Sequence, residues 1–159
     1  MLQASQGATF SECRKYRYVL WRIWDFKKPP IMFIGLNPST ANEKFPDRTI
    51  SRVIEFGKSW GYGGIYMMNL FPFVTKYPSE LEKCSADQIR ENDKYITEIA
   101  KKCADIIFAW GTFPVMGRDR EMIKKFPKAK CLLINDDGSP QHPLYVPGST
   151  KPILYIPVK

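Results

Sequence analysis

Ile31-Met32-Phe33-Ile34-Gly35-Leu36-Asn37-Pro38-Ser39 is a continuous apolar run that stops abruptly at an Asn-Pro pair. A strand with no polar alternate has no wet face, so this one reads as buried on both sides, as the central strands of parallel sheets are. Asn37-Pro38-Ser39-Thr40 then breaks it. Working outward, Ile65 to Leu70, Asp105 to Trp110 and Cys131 to Ile134 are runs of the same kind. Helical patterns separate them. Asp47 is placed to cap a helix whose apolar residues are Ile50, Val53, Ile54 and Trp60, with Gly61 as its stop. Ser85 and Gln88 form a capping box ahead of Ile89, Ile96, Ile99, Ala100 and Cys103. Val115 to Phe126 is a shorter helix with Met122, Ile123 and Phe126 on one side. Upstream, Tyr16 to Trp24 alternates as an edge strand does, with Arg17 and Arg22 on its polar face, and Lys27-Lys28-Pro29-Pro30 ends it. Downstream come a polar turn, Asn135 to Gln141, and a strand-like piece, Ile153 to Val158. The alternation predicts one α/β domain over residues 1–159: a central, mostly parallel four-stranded sheet with an N-terminal edge strand and helices on both faces.

Composition narrows the functional classes. The chain has 159 residues, 24 Lys and Arg against 16 Asp and Glu, a formal charge of +8 and a pI near 9.3. The excess positive charge sits in residues 1–50 and 101–159. This is the electrostatic footprint of a nucleic-acid binder, with Lys27, Lys28, Arg118 and Arg120 as candidate phosphate contacts. No stretch approaches the roughly 20 apolar residues of a membrane span. MLQASQGATF has neither the basic nor the apolar region of a secretion signal, so a cytoplasmic protein without membrane partners is expected. Cys13, Cys84, Cys103 and Cys131 include no C-x-x-C pair and the chain has one histidine, which argues against zinc, an iron–sulfur cluster or a disulfide framework. Cys103 and Cys131 read as core residues. There is no Walker sequence and no G-x-G-x-x-G, so no nucleotide cofactor is indicated. Nothing names a protein partner.

Ligands of open α/β sheets bind beyond the carboxyl ends of the strands. The residues there are Asn37-Pro38-Ser39, Asn69-Leu70-Phe71, Trp110-Gly111-Thr112 and the segment Asp136 to Tyr145 with His142. Asn37 either makes the Asn-Pro turn or holds water or a polar ligand through its amide. Ser39 and Thr40 either cap local backbone or bind a phosphate. Asn69 either satisfies a neighbouring backbone group or reads a base edge with one donor and one acceptor. Phe71 and Phe73 are either core or a stacking surface. Asp47 reads as a cap and Asp136-Asp137 as a solvated turn. His142 is the only imidazole available, in a loop stiffened by Pro140 and Pro143.

In order, these residues are Gly-Leu-Asn-Pro-Ser, Asn-Leu-Phe, Trp-Gly and His-Pro-Leu-Tyr. Over nearly its full length the chain resembles a bacterial and phage family of unknown function with these motifs. The motifs also resemble those of the uracil-DNA glycosylase superfamily, especially its mismatch-specific branch. That resemblance implies a three-layer α/β/α fold and a metal-independent hydrolase that releases a nucleobase from DNA. Asn37 would position the attacking water and His142 would stabilise charge on the departing base. Gly35, Pro38, Ser39 and Asn69 would contact the substrate, and Leu144 with Tyr145 would wedge into the duplex. Phe45 or Phe71 would stack on the base. Two departures stand out. Asn37 occupies the place of an Asp in the most efficient uracil enzymes, and an amide is no general base. The last motif also lacks the serine that contacts a phosphate in that superfamily. The alternatives are a non-catalytic nucleic-acid-binding module of the same fold, or a hydrolase or transferase of free nucleosides or nucleotides.

Overall fold

The computed structural model describes residues 4–157. Its strands are β1 (Ser5–Phe10), β2 (Arg17–Ile23), β3 (Pro30–Gly35), β4 (Gly64–Asn69), β5 (Ile106–Phe108), β6 (Lys130–Cys131) and β7 (Ile153–Leu154). Its helices are α1 (Arg48–Ser59), α2 (Ala86–Ala100) and α3 (Arg118–Lys125), with short 3-10 helices at Pro78–Lys83 and Pro143–Tyr145. The strands form one seven-stranded sheet in the order β1-β2-β4-β3-β5-β6-β7. The four parallel strands are its centre, β4-β3-β5-β6. Antiparallel strands extend it on both sides, so the sheet is wider than the four strands and one edge expected from the sequence. Among the described residues, no helix is long and apolar enough to cross a membrane.

Helices cover both faces, which is why β3 has no polar alternate. Ile31 and Phe33 pack with Ile50, Val53 and Phe56 of α1, together with Ile65, Met67 and Ile107. Met32 and Ile34 pack on the other face with Ile96 of α2 and Met122 of α3, together with Met68, Phe108 and Cys131. Asp47 caps α1 as expected, its Oδ1 accepting from Ile50 N–H at 2.9 Å, and Gly61 follows the helix at φ +85°.

Several expectations need correction. β2 is not an edge strand: β1, from a segment with no clear apolar pattern, covers its outer side. The pairing skips one residue, since Thr9 lies opposite Val19 but Phe10 lies opposite Arg17. Tyr18 is therefore an extra residue, and the bulge sends Tyr18 and Val19 to the α2 face while Leu20 faces α1. Arg17 and Arg22 are 2% and 7% exposed and donate to the carbonyls of Ala41 and Asn42, so neither lies on a wet face. β5 and β6 stop short of Trp110 and Ile134, and α3 begins only after Gly117 at φ +79°. Only half of the capping box forms: Ser85 Oγ accepts from Gln88 N–H at 3.2 Å, but the Gln88 side chain accepts from the Tyr18 hydroxyl. Cys131 is buried as expected, whereas Cys103 is half-buried. The expected last strand reduces to Ile153–Leu154, and Val158 lies outside the described residues.

Three of the expected phosphate contacts lie elsewhere. Lys27 and Lys28 precede β3 and sit at the opposite end of the sheet from the carboxyl ends of its parallel strands. Arg118 is 3% exposed; it donates to Leu70 O at 3.1 Å and pairs with Asp93 and Glu121, so its charge is used inside the fold. Removing one partner of a buried pair leaves the other uncompensated. Asp93→Ala should cost about 3 kcal/mol in urea denaturation. The double variant Asp93→Ala/Arg118→Met should recover part of that loss, and equal losses for both would show that the pair is not coupled.

Candidate functional site

A cavity of about 510 Å³ opens at the carboxyl ends of β3, β4 and β5. The chain passes from β3 to β4 on one side and then from β4 back across β3 to β5 on the other, and the cavity sits at this reversal, the position at which doubly wound sheets form a crevice. Gly35, Asn37, Pro38 and Ser39 enter it from β3, Asn69 from β4, Trp110 and Gly111 from β5, and His142, Leu144 and Tyr145 from the loop after β6. Nearly every residue singled out in the sequence thus converges on one place. Phe71 does not: its ring is 2% exposed and packs in the core on the α2 side. Phe45 is exposed and is not part of the lining. The aromatics that do line the cavity are Trp110, buried, and Phe113 and Tyr145, both exposed.

Asn37 is held by three carbonyls. Its Nδ2 donates to Pro38 O at 3.0 Å, Phe73 O at 3.4 Å and Thr75 O at 2.8 Å. Carbonyls can only accept, so the amine side of the amide must face them. Its Oδ1 accepts no hydrogen bond from the described residues and is available to a water or ligand donor. The turn reading and the ligand reading of Asn37 are therefore compatible.

Asn69 is 2% exposed, and its Nδ2 is buried without a partner among the described residues. Glycine at position 35 makes room for it. A Cβ there would lie 2.9 Å from Asn69 Oδ1 and 2.7 Å from Met67 Cε.

His142 is half-buried, and its Nδ1 accepts from Leu144 N–H at 3.2 Å, capping the 3-10 helix Pro143–Tyr145. A ring nitrogen that accepts a backbone N–H carries no proton, so the neutral ring must carry its proton on Nε2. Burial pushes the imidazole below its ordinary value, and the charge of Asp47 opposes this only in part. Asp47 itself lines the cavity while capping α1.

Arg17 is a lining residue that sequence reasoning missed, as are Lys76 and the aromatic Phe113. Its Nη1 donates to Ala41 O at 3.1 Å, and its Nε is buried without a partner. Burial lowers its pKa to about 10, with Asp47 acting against the shift and Arg22 adding to it. The signal was an arginine inside an aromatic, β-branched run, but strand periodicity could not reveal the bulge that turns it inward. Arg120 lines an adjoining cavity with Trp110 and Phe113. Asp137 accepts from Ser139 N–H at 2.9 Å within the Asn135–Ser139 turn and is not part of the main cavity's lining. Among the described residues, no group of three or more His, Cys, Asp or Glu gathers to hold a metal.

The cavity lies at the carboxyl ends of the parallel strands, the place where open α/β sheets hold their ligands. The chain belongs to the family described as Protein of unknown function (DUF1643), which matches residues 17–144. That span holds every lining residue discussed above except Tyr145, which follows it directly. No curated protein and no solved structure matches the chain.

The depressed pKa of His142 has a defined sign. Folding favours the neutral ring, so its contribution to stability is fully present above the ordinary value of 6.5 and is lost as pH falls through the lower folded value. Because the chain has one histidine, its imidazole resonance in a proton NMR titration is unambiguous. The midpoint should fall below 6.5, and the thermal midpoint should drop on acidification through that range. A midpoint at or above 6.5 would contradict the buried, neutral assignment. Gly35→Ala should leave the fold intact, because Met67 Cε is a flexible end, yet displace Asn69 from the cavity. Unchanged side-chain resonances of Asn69 would refute that.

Proposed function

We propose that this protein hydrolyses the N-glycosidic bond of a nucleobase extruded from DNA. One observation carries the reading: Leu144 N–H fixes the tautomer of His142, so that a neutral imidazole lining the cavity carries its proton on Nε2. A donor placed where negative charge develops stabilises the transition state more than the ground state. In the reaction the bond from the sugar C1′ to the base nitrogen breaks, and its electron pair leaves with the base. A water oxygen bonds to C1′, and its proton passes by way of solvent to the base. His142 faces the charge growing on the base. Asn37 Oδ1 accepts from the water and orients it, without removing its proton. An attack of this kind requires a sugar already electron-poor, so the reaction is slow and selective.

Other features support the same reading. A cavity of about 510 Å³ is within the size range of small-ligand sites. Leu144 and Tyr145 stand at its wall, and Tyr145 is 77% exposed, as a wedge or stacking ring would be. Lys76 lines the cavity, and Arg48 lies in a surface depression shared with Leu144, so cations flank this face in positions to meet phosphates. The chain also resembles the uracil-DNA glycosylase superfamily in the motifs that furnish these side chains.

The test is base release from labelled DNA containing uracil, mismatched thymine or hypoxanthine, in single and double strands. Release by the wild type should fall by roughly 100-fold or more in His142→Ala, the usual effect of losing such a donor. It should fall comparably in Asn37→Ala. Binding should weaken by roughly tenfold or more between 50 and 200 mM salt. Tight DNA binding without release from any substrate would overturn the reading in favour of a binding module. Turnover of free nucleosides without salt dependence would overturn it in favour of a small-molecule hydrolase.

A further inference from the structure

Arg17 presents a charge without an ion-pair partner. It is 2% exposed, and among the described residues no carboxylate lies within ion-pair distance of its guanidinium. Its single hydrogen bond there goes to Ala41 O, which needs only one of its five N–H donors. Nε is buried and unpartnered. Asn69 lines the same cavity, and its buried Nδ2 is also unpartnered. Two residues with unused donor valences therefore line one space. The other charged groups of that space are Asp47, which gives Oδ1 to the α1 cap, and the exposed Lys76. Water can fill the free valences, but it cannot neutralise the charge. A bulge in β2 is what turns Arg17 toward the α1 side, and bulges recur where a strand must re-aim a side chain at a site.

We propose that Arg17 and Asn69 form the subsite for the oxygen-bearing edge of the base, so that the electron pair left on the base at bond cleavage is spread onto oxygens facing Arg17. This rests on the reading under Proposed function and assigns the group that holds the base. A guanidinium only donates, so the edge it takes must accept. A base with carbonyl oxygens on that edge fits. An exocyclic amine there would set N–H against N–H and leave the buried donors unpaired, which discriminates strongly.

Binding of free bases to the whole protein tests this without requiring turnover. The ligands are uracil, thymine and hypoxanthine against adenine, with inorganic phosphate as a separate arm. The proteins are wild type, Arg17→Met and Arg17→Lys. The carbonyl-bearing bases should bind the wild type roughly tenfold or more tighter than Arg17→Met, as loss of a charge-assisted hydrogen bond implies. Arg17→Lys, which keeps the charge and loses the planar fork, should fall between them, and it serves alone if the Met variant does not fold. Adenine, which has no carbonyl oxygen, should bind weakly and without regard to residue 17. Equal binding of the carbonyl-bearing bases by all three proteins would overturn the proposal. So would phosphate displacing them through Arg17, which would make the subsite a phosphate site. Arg17-dependent base binding with no base release from any DNA would overturn the glycosylase reading and leave the subsite standing. Base release unimpaired in Arg17→Met would do the reverse.

Discussion

Two hydrogen bonds hold the cavity open. Arg17 and Arg22 reach from β2 to the carbonyls of Ala41 and Asn42, in the loop between β3 and α1. That loop carries Asn37, Pro38 and Ser39 at one end and Asp47 at the other. Its carbonyls are not paired by helix or sheet, and burying them unpaired would be costly. The arginines supply the missing donors and set how far the loop stands from the sheet. At the far side of the same loop, the amide of Asn37 gathers the carbonyls of Pro38, Phe73 and Thr75. One loop is thereby tied to β2 and to the segment after β4, and the space left between these ties is the cavity.

The parallel core was legible because its physics is local. A strand covered by helices on both faces must be apolar throughout, and β3, β4 and β5 obey that rule. Asp47 and Gly61 were legible for a related reason, since caps satisfy backbone groups within a few residues. The rule of strand ends places Asn37, Asn69 and His142 together, and the fold does the same. These three residues are 32 and 73 positions apart in the chain, yet they line one cavity.

What the sequence concealed was non-local. Nothing in Ser5 to Phe10 announces a strand; its existence depends on an edge of β2 that only the finished sheet presents. The bulge at Tyr18 reverses the facing of Arg17 without changing composition or spacing in any visible way. Phe71 follows Asn69 closely, but the chain leaves the sheet there, and an apolar ring gains more from the core than from the cavity wall. Arg118 looked like a solvated cation because its partners, Asp93 and Leu70 O, lie 25 and 48 residues away.

The walls of the cavity are unequally anchored. β3 and β4 pair over six positions, and Asn37 and Asn69 stand at the end of that ladder. β6 pairs with β5 and with β7 over only two positions each, and the loop bearing His142 hangs beyond it. Gln141 N–H to Leu133 O and the Tyr155 hydroxyl to Gly138 O are among the few ties that steady it. Short ladders open at lower free energy than long ones. The half of the site that would grip a ligand's polar edge is therefore stiff, while the half bearing the imidazole can yield. Local opening therefore begins at the wall that carries the imidazole and leaves the two asparagines in register.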